Sequence, residues 1–216
     1  MKHLSYIALA LWSACFALAA GENTRTRVFT DKVVTTPSAV YLRGFHGAAQ
    51  KGPTCNIYSA WMILKYYRCR ITPARLMRDA EDDEYKTSAY IADKLEELGF
   101  EFISFTPGSS GDFAAIVKRS IDNGIPLQWG VDLKLSPLKK ENRSRKFSLG
   151  HARIITGYER KKGKLTRIIY ADSWGGRRNL KKRLPLREAF EMTMSLSPII
   201  PGDLDPKTAE LIRAPL

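Results

Sequence analysis

The chain has few of the residues that most often carry metal and redox chemistry. Its 216 residues include three cysteines and three histidines. No pair of them has metal-ligand spacing, which argues against a zinc-type site. Neither common glycine-rich phosphate loop occurs, so the sequence offers no nucleotide-binding motif. Internal repeats and low-complexity tracts are absent. Past the N-terminus, no apolar run approaches the length of a bilayer-spanning helix, about 20 residues. Aromatic residues do not interleave with the basic runs, and no specific nucleic-acid module is visible. What is present is an ordinary globular composition, 44% hydrophobic and 26% charged.

Residues 1–20 read as a secretory signal peptide. Lys2 and His3 precede an uncharged apolar run, Leu4 to Leu18, and Ala17-Leu18-Ala19 supplies small residues for cleavage. The run is short for a membrane anchor. Residues 21–216 are then one domain of a size that supports a single core. Export, to a periplasmic, extracellular or envelope-associated location, is the implied destination. The mature chain keeps Cys55 and Cys69. In an oxidising compartment these two either pair or leave at least one thiol for chemistry.

The net charge of +13 is concentrated in one stretch. Residues 139–183 carry 16 of the 35 Lys and Arg but only Glu141, Glu159 and Asp172 among the acids, so this window holds the whole excess. Such a region attracts an anionic surface or a polyanion, or simply forms solvated loops.

Hydrophobic periodicity predicts helices first and antiparallel strands last, an α+β pattern. Ile57, Ala60, Trp61 and Leu64 lie at i, i+3, i+4, i+7, giving a helix over 55–68 with Thr54 as its N-cap. Thr72-Pro73 opens a short helix to about 80, and Thr87 or Ser88 opens one ending at Gly99. Another runs from Ser110 to Asn123-Gly124. Strands are expected over 101–105, 126–133, 152–158 and 165–171. The last two form a hairpin with a six-residue loop, 159–164. Residues 186–194 read as a short helix or an irregular return strand, and the tail past Pro201 as peripheral.

Four residues stand out chemically. Cys55 falls in the first turn of its helix, where the dipole and unpaired N–H groups favour thiolate, the species that attacks a carbonyl. In a symmetric hairpin, pairing Tyr158 with Leu165 also pairs His151 with Asp172, on one face. Asp172 would then orient the imidazole while His151 moves a proton. A one-residue slip would send the two to opposite faces. Gln50, five residues before Cys55, carries an amide able to donate to a developing oxyanion, together with the backbone N–H of Cys55. Trp174 is placed to cover the His151–Asp172 hydrogen bond. His46, near Gln50, is a rival base.

Asp172-Ser173-Trp174-Gly175 resembles the Asn-Ser-Trp-Gly motif of papain-like cysteine peptidases, with Asp in the Asn position. Gln50, Cys55, His151 and Asp172 follow that family's order of oxyanion Gln, nucleophile, base and orienting residue. The acidic third member is similar to family thirty-nine, which removes double-glycine leaders from bacteriocin precursors and has stand-alone exported relatives. Two positions depart from the family pattern: Asn56 stands where Gly usually follows the nucleophile, and Gln50 is one residue closer to the Cys than is common. The resemblance implies a papain-like fold, with the nucleophile helix packed on a C-terminal antiparallel sheet. It also implies a thiol hydrolase acting on peptide or protein, without a cofactor. The alternative is a non-catalytic scaffold that binds an anionic envelope component through its basic loops.

Overall fold

The computed structural model describes residues 29–81, 86–137, 150–174 and 179–214. The predicted signal peptide, part of the basic window, and Gly175 lie outside them. Eight strands and six α-helices are present among the described residues. In chain order they are β1 (Val33–Thr35), β2 (Ala39–Leu42), α1 (Cys55–Tyr66), α2 (Pro73–Leu76), α3 (Ser88–Glu97), β3 (Phe100–Phe102) and α4 (Ser110–Asp122). There follow β4 (Leu127–Asp132), β5 (Gly150–Lys161), β6 (Lys164–Ala171), β7 (Lys182–Pro185), α5 (Leu186–Glu191), β8 (Thr193–Pro201) and α6 (Pro206–Arg213). None of these helices is long and apolar enough to cross a membrane.

Helix starts follow the capping chemistry. Thr72, Thr87 and Ser109 accept the N–H of Arg75, Tyr90 and Asp112 through their side chains, each satisfying a donor that has no partner within the helix. The α1 start differs from expectation. Thr54 is the N-cap residue, but its hydroxyl donates to the Lys51 carbonyl at 2.8 Å and caps nothing. Helix α1 is held by burial instead: Ile57, Ala60, Met62, Ile63 and Leu64 are inaccessible to solvent. At roughly 1.5–3 kcal/mol per buried large aliphatic side chain, that outweighs a cap of about 1 kcal/mol. Its apolar character wraps around the helix, and the narrow stripe in the sequence understates it.

The sheet is antiparallel throughout and turns on β5. One edge of β5 pairs with β4 over residues 150–155 and with β2 over 157–159. The other edge pairs with β6, which carries β7. Beyond β4 lie β8 and β3. Helix α1 packs on this sheet through the Ser59 hydroxyl, which donates to the Ala152 carbonyl at 3.0 Å.

Three expectations need correction. The β5–β6 hairpin does not have a six-residue loop. Its strands continue to Lys161 and Lys164. They are joined by Lys162 and Gly163 at φ of 50° and 77°. Positive φ at both central residues is what a two-residue type I′ turn requires. The charges of 159–164 sit on solvent-facing strand ends, which is why they read as loop. The register also differs. Lys161 pairs with Lys164, and Ile154 with Ala171, two residues displaced from the expected pairing. Finally, the tail past Pro201 is not peripheral, since α6 buries Ala209 and Ile212. Ahead of it, the return strand is longer than the expected 186–194 segment: β8 runs nine residues and fills the sheet between β4 and β3.

Candidate active site

Three elements converge at one end of β5. The α1 N-terminus brings Cys55, the first residues of β5 bring His151, and the chain leaving β6 brings Asp172. The His151 Nε2 lies 3.0 Å from Asp172 Oδ1, with both side chains sealed from solvent. His151 shares a second side-chain hydrogen bond with Cys55. Cys55 is a free thiol, half-buried, so a Cys55–Cys69 disulfide is not formed. Backbone N–H groups of Ala152 and Asn56 also point at its sulfur.

The electrostatics run in one direction. Burial alone would raise the Cys55 pKa, but the bond to His151, its charge and the two backbone N–H groups bring it below the ordinary 9.0. Burial alone would lower that of His151, but bonds to Asp172 and Cys55 raise it above 6.5. Burial would likewise raise Asp172, yet His151, Arg153 and the Trp174 N–H hold it at about 2. Each net shift favours the ionised thiolate–imidazolium–carboxylate form.

The predicted contact of His151 with Asp172 is present, but not as a directly opposed pair. Continuing the ladder one step past Ile154–Ala171 sets Arg153 across from Asp172. His151 is the diagonal neighbour on the same face, within reach of a side chain. Arg153, fully buried, donates its Nε–H to Asp172 Oδ2 at 3.0 Å. Its guanidinium lies over the Tyr170 and Trp129 rings, at 5.0 and 5.7 Å from their centroids. Periodicity and motif spacing did not single out Arg153. Its signal was a cation within the apolar run of β5, two residues from His151 and therefore on the same strand face.

Trp174 covers the site as expected. Its ring stacks on His151 at 4.2 Å between centroids and 21° between planes, and its N–H donates to Asp172 Oδ1 at 2.8 Å. Gln50 is brought to the same segment. Its backbone N–H donates to the Ser173 carbonyl at 3.0 Å, and its Oε1 accepts from the Ser173 hydroxyl at 2.5 Å. One N–H of its amide donates to the Gly52 carbonyl at 2.8 Å. His46 is exposed in the preceding loop. Asn56 has a structural use: its amide donates to the Lys86 carbonyl, and its Oδ1 accepts from Gln128 of β4 at 3.3 Å. Among the described residues, no cluster of His, Cys, Asp and Glu could hold a metal ion.

The model of the Peptidase_C39 like family matches residues 43–194, which include Gln50, Cys55, His151 and Asp172. The chain belongs to this family. No curated protein matches it. Among solved structures, the peptidase domain of Streptococcus ComA, a bi-functional ABC transporter of a quorum-sensing pathway, is similar at 16% identity. It gives a TM-score of 0.52 over 73% of this chain and 99% of that one. A double glycine motif protease from an AMS/PCAT transporter, solved with its leader peptide, gives 0.50 at 12% identity over 77% and 99%. A protein described as a C39-like peptidase from Bacillus anthracis gives 0.50 at 15% identity over 76% and 98%. At these identities the likeness is one of fold: the C39-like chain has the papain-like peptidase architecture.

A cavity of about 600 Å³ opens on the sheet face formed by β2, β5, β6 and β7. Tyr41, Ile169 and Leu180 line it with three cations, Arg43, Lys181 and Arg183, and no acidic side chain among the described residues joins them.

Proposed function

We propose that this chain is an exported cysteine peptidase in which Cys55, His151 and Asp172 act together on a peptide carbonyl. The observation that carries the reading is the continuous hydrogen-bonded relay from the Cys55 sulfur through His151 to the buried Asp172. Membership of a peptidase family supports the reaction class, and the leader-peptide complex of one structural neighbour supports a peptide as substrate.

Cys55 thiolate attacks the carbonyl carbon, forming the C–S bond as the carbonyl π electrons move to oxygen. The oxyanion is met by the Cys55 backbone N–H and the second N–H of the Gln50 amide, a contribution of about 10²–10³ in rate per donor in comparable sites. His151, as imidazolium, protonates the leaving amine, and the C–N bond breaks. Neutral His151 then takes a proton from water as its oxygen attacks the thioester, and Cys55 leaves as thiolate. Asp172 holds the imidazole in one tautomer throughout, while Trp174 keeps water from the His151–Asp172 bond.

The test is labelling by a thiol-directed peptide electrophile, run on the parent and on Cys55→Ala. Labelling is expected in the parent alone. Equal labelling of the variant would sink the assignment. The cationic cavity supports a second reading, a scaffold that binds an anionic polymer without turnover. Binding that weakens with salt and survives Cys55→Ala, with no hydrolysis of any peptide tested, would favour it.

A further inference from the structure

We propose that Arg153 is the positioning residue of this site: it fixes the Asp172 carboxylate so that Oδ1 faces His151, and its charge makes the acidic orienting group electrically neutral. The inference rests on reading Cys55, His151 and Asp172 as a catalytic triad, and it adds a fourth member to that set.

Geometry comes first. Asp172 receives three hydrogen bonds, from His151 and the Trp174 N–H on Oδ1 and from Arg153 on Oδ2. A carboxylate pinned at both oxygens cannot rotate without breaking a buried bond. Arg153 is itself held: its guanidinium lies over the Tyr170 and Trp129 rings, and Nη1 approaches the Met192 sulfur at 3.9 Å. The anchor is a planar fork packed against two rings, a placement that suits Arg and not Lys.

Charge comes second. Thiolate, imidazolium and carboxylate alone would leave the site with one net negative charge, which burial penalises. Among the described residues, adding Arg153 brings the charge of these four groups to zero. Among the described residues, the other charged group facing Asp172 is Lys182 on β7, 4.0 Å from Oδ2, with its side chain partly in solvent. Among the described residues, the titratable or charged groups around His151 are therefore Cys55 from α1, Arg153 from β5, Asp172 from the end of β6, and Lys182 behind it. Arg153 and His151 are bonded to the two oxygens of one carboxylate, so removing Arg153 removes a nearby buried cation from the imidazole's surroundings. It thereby makes protonation of His151 easier.

The chain has three histidines, so the His151 ring protons can be followed by NMR in the full-length protein as pH is varied. In Arg153→Met the His151 midpoint is expected to rise by about one pH unit. Arg153→Lys keeps the cation and is expected to leave the midpoint near that of the parent. A folded Arg153→Met with an unmoved midpoint overturns the proposal, as does an Arg153→Lys shift as large as that of the Met variant. Should Arg153→Met not fold, the double variant Arg153→Met/Asp172→Asn is expected to regain the fold, because both buried charges leave together. A double variant no more folded than the single one overturns the proposal equally. Cys55 labelling reports separately on the triad, so a failure of that reading and a failure of this one are distinguishable.

Discussion

The conservative replacement Asp172→Asn should be costly here, although Asn fills this position in the papain-like motif. An amide offers one accepting oxygen where the carboxylate uses two. If that oxygen keeps His151 and the Trp174 N–H, the new NH₂ takes the place of Oδ2, 3.0 Å from the Arg153 Nε–H, donor against donor. A charge-assisted hydrogen bond of about 1.5–3 kcal/mol is lost, and the buried ion pair between the Arg153 guanidinium and Asp172 is broken. Breaking such a pair by removing one partner costs about 3–5 kcal/mol. For a domain of this size, with each kcal/mol shifting Tm by about 2–4 °C, a loss of about 3 kcal/mol lowers Tm by roughly 6–12 °C. The pH dependence gives a second check. The Asp172 pKa falls from 3.8 to about 2 in the fold, so the stability it contributes is present above pH 3.8 and is lost as pH falls through 2. That fall corresponds to on the order of 2 kcal/mol. Thermal melts followed by circular dichroism should therefore show the variant well below the parent at pH 7, with the gap narrowing from about pH 4 downward. A Tm within about 1 °C of the parent at pH 7 would refute the reasoning.

Other perturbations separate the parts of the site. Gln50→Ala should slow peptide hydrolysis by about 10²–10³ while leaving Cys55 alkylation by iodoacetamide unchanged, because alkylation forms no oxyanion; equal losses in both assays would remove the oxyanion role. Trp174→Ala keeps the backbone N–H on Asp172 but bares the imidazole, so Cys55 alkylation should slow about tenfold with little change in Tm. Ser59→Ala leaves the buried Ala152 carbonyl without its hydroxyl donor. In urea unfolding that loss should cost roughly 1 to roughly 2 kcal/mol. A Cβ on Gly157 would lie 2.6 Å from the Tyr41 Cβ and from the Val40 carbonyl oxygen, so Gly157→Ala should cost several kcal/mol or prevent folding. Gly130→Ala meets the Ser195 hydroxyl instead, which can rotate away. Its cost should be about 1 kcal/mol or less. A reversed order for the two would show that the β2–β5 approach is looser than described.

Much of the fold was legible in local chemistry. Four helices from Cys55, Pro73, Ser88 and Ser110 were readable because their caps or their apolar spacing act within one turn of chain. β8 was not readable. Its apolar residues follow directly on α5, and its place between β4 and β3 depends on partners far earlier in the chain. The same holds for α6, whose polar sequence gives no sign that Ala209 and Ile212 close the core.

The site was legible for a reason that the register explains, and Arg153 was hidden by the same register. The β5–β6 ladder contains two irregularities. Thr166 is an extra residue on β6 and Thr156 an extra residue on β5, and each hydroxyl donates to a carbonyl of the opposite strand, Glu159 and Ile169 respectively. One bulge alone would slip the pairing by a single residue and turn His151 away from Asp172. Two bulges on opposite strands cancel, so the pairing before the first matches the pairing after the second. A symmetric hairpin therefore reproduces the correct face despite its wrong loop, because its error of two residues preserves the side-chain alternation. That error of two is also the spacing between His151 and Arg153. Assigned to His151, the position across from Asp172 completed a triad and left nothing to explain. Assigned to Arg153, it accounts for why an acid can stand where the related motif has an amide: the carboxylate is buried beside a cation that cancels it, and it keeps its second oxygen for His151.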